Sequence, residues 1–269
     1  MLALSDLDPK ALEARLSTRW LGRRHVHLSS CGSTNDLVAA EARNGAAEGL
    51  LVTADRQTGG RGRQGRVWHS PPEANLYLSL LLRPRRSAVE VPPLTLLAGG
   101  ALAQALRGLG FAARVKWPND LLLTDENGRR RKVAGILTEA ATEGDRIGHV
   151  VVGIGLNVNA TEESFPDELA EKATSLRLIG GKSLSRVEVL SRVLSSLETA
   201  YESFQERGVA AAIELWEAHA ELGNPCRAQV AGREIVGVVA GVDGDGALLI
   251  EDEAGDRHRV VSGEVLPGA

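Results

Sequence analysis

Aromatic residues are scarce in this 269-residue chain, at 3% against 43% hydrophobic residues overall. A core built from it must be aliphatic, and each Trp or Tyr has to be read individually. Cysteine is nearly absent. Cys31 and Cys226 stand far apart without the spacing of metal ligands, which argues against a disulfide framework and against a zinc site. There is no excess of positive charge either: the formal net charge is -4, so no global field would gather DNA or anionic lipid. No apolar run is long enough to span a bilayer. The N-terminal stretch does not resemble a signal peptide, because Asp6, Asp8, Glu13 and Arg15 interrupt it. His25, His27, His69 and His149 form no triad and no metal spacing, so no covalent enzyme intermediate is expected. The expectation is a soluble, cytoplasmic protein with one large domain and one small.

What the chain does have is a local concentration of arginine and glycine. Arg56 to Arg66 reads RQTGGRGRQGR, with apolar runs on both sides at Leu50–Ala54 and Leu76–Leu82 that read as strands. Glycines let backbone N–H groups turn toward a ligand, and guanidinium groups supply forked donors for phosphate or carboxylate. A solvated basic loop, or one touching nucleic acid, fits the same composition.

Along the chain, Pro9 to Leu21 has helical spacing, and His25–Leu28 reads as a strand. A helix runs from Ser33 to Arg43, with Ser33 and Asp36 in a capping arrangement. Its N-terminal amides would equally suit an anionic or carbonyl ligand. Pro92-Pro93 introduce a helix over Leu94–Leu109. Strands follow at Ala112–Lys116 and Leu121–Thr124, a hairpin turn at Asp125–Gly128, then strands at Lys132–Ala141 and His149–Val158. Gly153 and Gly155 would leave room on one face of the last strand. Arg129–Lys132 also reads as a solvated hairpin tip. Two helices span Ser185–Glu221 and meet near Gly208. From Pro225 onward, short β-branched runs separated by Gly/Asp turns predict a small β-barrel, giving domains 1–222 and 223–269.

Five segments carry the chemistry: Ser33-Thr34-Asn35, the Gly/Arg loop with Trp68-x-Ser70-Pro71, KWPND over 116–120, KVAGIL over 132–137, and GIGLN over 153–157. In this order and at these separations they closely resemble the biotin protein ligases, enzymes that activate biotin with ATP and attach it to a carrier lysine. The resemblance is strong from Val26 to Asn159 and looser over the C-terminal strands. It implies an α+β fold of the class II synthetase-like kind, a mixed sheet with helices on one side, plus a C-terminal SH3-like barrel.

The first step in such an enzyme brings a carboxylate against the α-phosphorus of ATP, so cations and directed N–H groups must offset the repulsion between two anions. The resemblance implies Lys132, Arg63 and Asp120 as the catalytic set. It implies Ser33, Thr34 and Gln57 at the ureido head of biotin, Asn35 among the biotin-binding residues, Arg61 in the loop that closes over biotin, Arg63 at biotin and the phosphates, and Lys132 at the bound acid and acyl-phosphate. Gly60 and Gly135 would pack close to the ligand, Gly153 would lie under the rings, and Tyr77 would run along the valeryl chain, although Tyr77 also fits a plain strand residue. Arg63, Arg66, Trp68, Asn119, Lys132 and Asn157 would meet the nucleotide. Asn119 and Asp120 suit positioning of Mg2+ and phosphate, with Asp120 the candidate metal ligand. Trp117 fits either the site or the core. The implied partner is a biotin carboxyl carrier domain of acetyl-CoA or pyruvate carboxylase. Repressor-type members carry an N-terminal winged helix; here the catalytic motifs begin almost at once, so DNA binding is not expected. Self-association through sheet edges, to a homodimer, is left open. Competing readings are a lipoate or octanoate ligase on the same fold, a nucleic-acid-binding module, and a catalytically inert biotin sensor.

Overall fold

The structure is a computed structural model that describes residues 6–143, 146–230, 232–263 and 265–268. Its elements run α1 (Pro9–Glu13), β1 (His25–Leu28), α2 (Thr34–Arg43), β2 (Leu51–Ala54), β3 (Leu76–Leu82), α3 (Leu94–Gly108), β4 (Arg114–Lys116), β5 (Asp120–Thr124), β6 (Arg130–Glu143) and β7 (Arg146–Leu156). Then come α4 (Asp167–Ala170), α5 (Leu176–Gly180), α6 (Arg186–Arg207) and α7 (Val209–Glu217). The chain closes with β8 (Pro225–Val230), β9 (Arg233–Val242), β10 (Leu248–Glu251), β11 (Arg257–Val260) and β12 (Val265–Pro267).

Seven strands form one mixed sheet in the order β1-β2-β3-β7-β6-β5-β4, with only β1 and β2 parallel. Side chains alternate across a strand, so each strand addresses two different environments. On one face, Leu78, Leu80, Val150, Val152 and Ile154 join a core with Leu97 and Ala101 of α3, Leu190 and Leu194 of α6, and Trp216 of α7. Burying one such Leu, Val or Ile side chain contributes about 1.5–3 kcal/mol. The expected one-sided helical layer is this one. α2 lies on the opposite face, where Val38 and Ala42 pack on Val52, Leu81 and Val151.

α3 is apolar over most of its surface, as a largely enclosed helix must be, with Gln104 and Arg107 on its exposed side. A methyl group at Gly100 would stand 2.8 Å from the carbonyl oxygen of Leu215, so the glycine sets how closely α7 approaches. Contrary to the sequence reading, one stretch, Ala88–Gly108, is long and apolar enough to cross a membrane by length and composition, but most of it is buried within the fold.

The N-terminal helix is shorter than its spacing predicts, ending at Glu13 and not continuing to Leu21. The buried carboxylate of Glu198 on α6 accepts from the backbone N–H groups of Arg19 (2.7 Å), Trp20 (3.0 Å) and Leu21 (2.8 Å), which draws that segment out of helix. The capping arrangement at α2 is also not formed. Ser33 makes no side-chain cap bond, and Asp36 points elsewhere.

The last five strands form an antiparallel sheet ordered β11-β10-β9-β8-β12, that of a small barrel-like unit. It leans on the larger sheet through Trp117, whose indole N–H donates to the carbonyl oxygen of Gly246 at 3.0 Å. Trp117 is thus buried and also borders the cavity described next.

Candidate active site

The α2 face of the large sheet changes character along its strands. Its rows, read across β3, β7 and β6, are Leu81–Val151–Glu139, then Ser79–Gly153–Leu137, then Tyr77–Gly155–Gly135, which continues to Asp120 on β5. The first row is covered by α2. The next two contain three glycines, and over them opens a cavity of about 790 Å³.

At its inner end the N-terminus of α2 supplies polar groups. A methyl at Gly153 would overlap Asn35 Oδ1, so this glycine makes room for the asparagine amide and not directly for a ring system. Asn35 Nδ2 donates to Glu139 Oε2 at 2.6 Å. Gln57 Oε1 accepts from the backbone N–H of Thr34 at 2.9 Å and from the Thr34 hydroxyl at 3.1 Å.

At the outer end stand the charges. Lys132 Nζ lies 2.6 Å from Asp120 Oδ1 and 5.3 Å from the ring centre of Trp68. Arg63 is half-buried near both Asp120 and Arg66; desolvation lowers its pKa, the carboxylate raises it and the second guanidinium lowers it. Arg61 grips Asp36 with two hydrogen bonds, of 2.8 and 2.5 Å. That guanidinium holds the exposed Asp36 carboxyl below its ordinary range.

The loop between β2 and β3 folds back on itself, with Gly62 N–H donating to Arg66 O and Trp68 N–H to Gly60 O. This lays Trp68 on the glycines: methyl groups at Gly155 or Gly135 would collide with its indole. The indole N–H is buried without a hydrogen-bond partner.

The residues expected at the site all line the cavity except Gly60 and Tyr77. A methyl at Gly60 would meet Ser70 Oγ and Trp68 O, both at 2.9 Å, so that glycine serves closure of the loop on itself. Tyr77 is buried beneath the floor; its hydroxyl donates to Pro71 O at 2.9 Å, and burial raises its pKa. Two asparagines on the wall have part of their amides engaged. Asn119 Nδ2 donates to Ile136 O at 2.9 Å, and Asn157 Nδ2 to Thr174 O at 3.0 Å. Sequence reading missed Glu139 and Ser79, although Ser79 is a lone small polar side chain in the apolar strand β3. It also missed the buried pair Arg186–Asp55, 2.8 Å apart, which anchors the end of β2 where the Gly/Arg loop begins.

Among the described residues, no group of three or more His, Cys, Asp or Glu side chains is placed to hold a metal. Of the three carboxylates that border the cavity, Asp120, Glu171 and Glu221, it is Asp120 that pairs with Lys132, which suits a magnesium ion carried mainly by phosphate oxygens and water.

Known proteins share this sequence and fold. The family model for the Biotin/lipoate A/B protein ligase family matches residues 28–157, and that for the Biotin protein ligase C terminal domain matches 222–266. The Bacillus spizizenii bifunctional ligase/repressor BirA is 39% identical over 97% of this chain and 79% of its own length. The biotin–[acetyl-CoA-carboxylase] ligase of Mycobacterium tuberculosis is 32% identical over 97% of this chain and 95% of its own length. The chain belongs to the biotin protein ligases. That family consists of enzymes, and its fold is the one found here. The biotin protein ligase of Aquifex aeolicus, solved in complex with biotin and ATP, superposes with a TM-score of 0.74 at 32% identity, covering 91% of this chain and 98% of that one.

Proposed function

We propose that the chain activates biotin with ATP as biotinoyl-5'-AMP, releasing pyrophosphate, and then transfers the biotinoyl group to a lysine of a biotin carboxyl carrier domain. The observation that carries this reading is the meeting of Lys132, Asp120 and Arg63 at one end of a trough whose other end is lined by Thr34, Asn35 and Gln57. Biotin has the matching polarity, a ureido head and a carboxylate tail joined by an apolar chain. The match to a biotin-ligase C-terminal domain favours biotin over lipoate.

In the first step the biotin carboxylate attacks the α-phosphorus and the bond to the bridging oxygen of pyrophosphate breaks. Lys132 and Arg63 offset the charge that gathers there, in a site shielded from water. Asp120 holds the Lys132 ammonium in place and is the residue that would contact Mg2+; the ion, when bound, would neutralise phosphate charge. Arg66, Asn119 and Asn157 lie where the nucleotide would, and Trp68 would cover the acyl-phosphate. In the second step the carrier amine attacks the acyl carbon and AMP leaves. We assign the two activities to one catalytic unit, 1–222, assisted by the unit 223–269. The carrier would be that of a cytoplasmic acetyl-CoA or pyruvate carboxylase.

The test is incubation with biotin, ATP, Mg2+ and a carrier domain, read by intact mass. The expected result is a gain of one biotinoyl group on the carrier, absent when biotin is replaced by lipoate. No gain with biotin, or equal transfer of lipoate, would refute the assignment.

A further inference from the structure

The loop between β2 and β3 begins at Asp55 and ends at Asn75, and both stems meet one buried guanidinium. Arg186 Nη1, at the start of α6, donates to Asp55 Oδ1 at 2.8 Å and to the Asn75 carbonyl oxygen at 3.3 Å. Across the stems, the Asp55 carbonyl oxygen accepts the backbone N–H of Glu73 at 3.1 Å. Asn75 turns its amide away from Arg186: Oδ1 accepts from the backbone N–H of Val158 at 2.9 Å, and Nδ2 donates to the Tyr77 hydroxyl at 3.2 Å. That hydroxyl donates in turn to Pro71 O at 2.9 Å. The returning limb is thus tied at Pro71, Glu73 and Asn75. Glu73 stands at φ 59°, a left-handed conformation that a residue with a side chain keeps only where its surroundings hold it.

Between the stems Arg61, Arg63, Arg66 and Trp68 border the cavity. The turn bonds from Gly62 N–H to Arg66 O and from Trp68 N–H to Gly60 O fix the shape of that stretch. Its place over the sheet is set where the chain enters and where it leaves. Arg186 acts on both points at once, and its other edge is taken by the N-terminal segment. Asp6 accepts from Arg186 Nε at 2.8 Å, pairs with Nη2 at 2.5 Å, and accepts the Arg186 backbone N–H at 3.1 Å. A planar fork with donors in fixed directions can serve these three partners from one position; an ammonium could keep Asp55 but not the others. A buried ion pair is a weak source of net stability compared with apolar packing. What distinguishes this one is where it sits, beneath both limbs of the loop whose cations reach the reaction centre.

We propose that Arg186 is a positioning residue for biotin activation: by holding both limbs of the Gly/Arg loop on one guanidinium, it fixes where Arg63 and Trp68 stand over the reacting carboxylate and phosphate. This rests on the biotin reading above. Asp6 orients the fork, so the N-terminal segment belongs to the same assembly although it lies outside the cavity. A displacement of about 1 Å in such groups, caused from a distance, can lower a rate by about 100-fold.

The test compares wild type with Arg186→Lys, Asp6→Ala and Leu190→Ala. Arg186→Lys keeps a cation opposite Asp55 and so avoids stranding a buried carboxylate. Leu190, one turn further along α6 and buried in the core, is the control for lost stability alone. Each protein is assayed for biotin-dependent pyrophosphate release and for tryptic cleavage within Arg56–Arg66, with and without biotin and ATP. Wild type should become protected from cleavage when both are bound. Arg186→Lys should lose about 10- to 100-fold in kcat and stay cleavable with both present, and Asp6→Ala should lose about threefold in the same direction. Leu190→Ala should melt earlier yet keep kcat within about twofold and gain full protection. If Arg186→Lys instead behaves like Leu190→Ala, the proposal is overturned while biotin activation stands. Should Arg186→Lys fail to fold, Asp6→Ala carries the test, and wild-type kcat with full protection there would overturn the proposal equally. A wild type that releases no pyrophosphate with biotin would remove the functional reading, and the proposal with it.

Discussion

The two faces of the seven-stranded sheet are made by the same residues taken alternately, yet they do opposite things. On the α3 side β3 and β7 present Leu78, Leu80, Val150, Val152 and Ile154 to a closed core. One position along, the same strands present Tyr77, Ser79, Gly153 and Gly155, which leave a trough and a set of hydrogen-bonding groups. A strand can hence be both keystone and binding surface, because period-two geometry keeps the two roles on separate atoms. Substitutions on one face should change stability, and substitutions on the other should change ligand handling.

The largest expected effect is on the site side. Lys132→Ala should lower biotinoyl-AMP formation by about 10²- to 10³-fold, read by pyrophosphate release, while the melting temperature stays near wild type. On the core side, Leu80→Ala should cost about 2–5 kcal/mol in denaturant unfolding and leave the KM for biotin unchanged in the folded fraction. If Leu80→Ala alters KM as much as Lys132→Ala alters rate, the separation of faces is wrong.

A third prediction probes where the core face stops being apolar. At its β1–β2 corner, His25 and His27 share the hydroxyl of Thr53, and His27 reaches Asp55, the partner of Arg186. Burial, helped by His27, lowers the His25 pKa from its ordinary 6.5 to about 4. Between those values the unfolded chain binds more protons than the folded one. The stability is present above pH 6.5 and is lost as the pH falls toward 4. By pH 5 the loss should be on the order of 2 kcal/mol, and His25→Asn should flatten that slope.

Gly153→Ala should weaken biotin binding about tenfold by pushing Asn35 off its seat, with a smaller change in stability. The smallest effect is expected from Asp36→Asn. Its pair with Arg61 is solvent-exposed, with side-chain exposures of 59% and 41%, so the change in biotin KM should be within about fivefold and should diminish in high salt.

Much of this arrangement was legible in the sequence, and the exceptions share a physical cause. The strands around the Gly/Arg loop, the hairpin at Asp125–Gly128 and the break at Gly208 follow from local patterning and turn chemistry. The predicted helix through Leu21 failed because its competitor, Glu198, is 177 residues from Leu21 in sequence. The short helices α4 and α5 and strand β12 carry too few residues to show a period. Tyr77 lies on the site face, as its alternation with Leu76 and Leu78 requires, but the Pro71 carbonyl and Asn75 hold its hydroxyl under the floor. Alternation gives the face a residue lies on, not the partner that holds its polar atom. Glu139 and Ser79 were passed over for the same reason: their meaning lies in what Asn35 does between them.

The indole of Trp68, resting on Gly135 and Gly155 with its N–H unbonded, bears on how quickly the enzyme loads. Any guest that takes that floor has to evict the ring, so capture includes a unimolecular step and its rate should level off as guest concentration rises. The same eviction moves a fluorophore out of an apolar bed, so the protein's own emission would time the event.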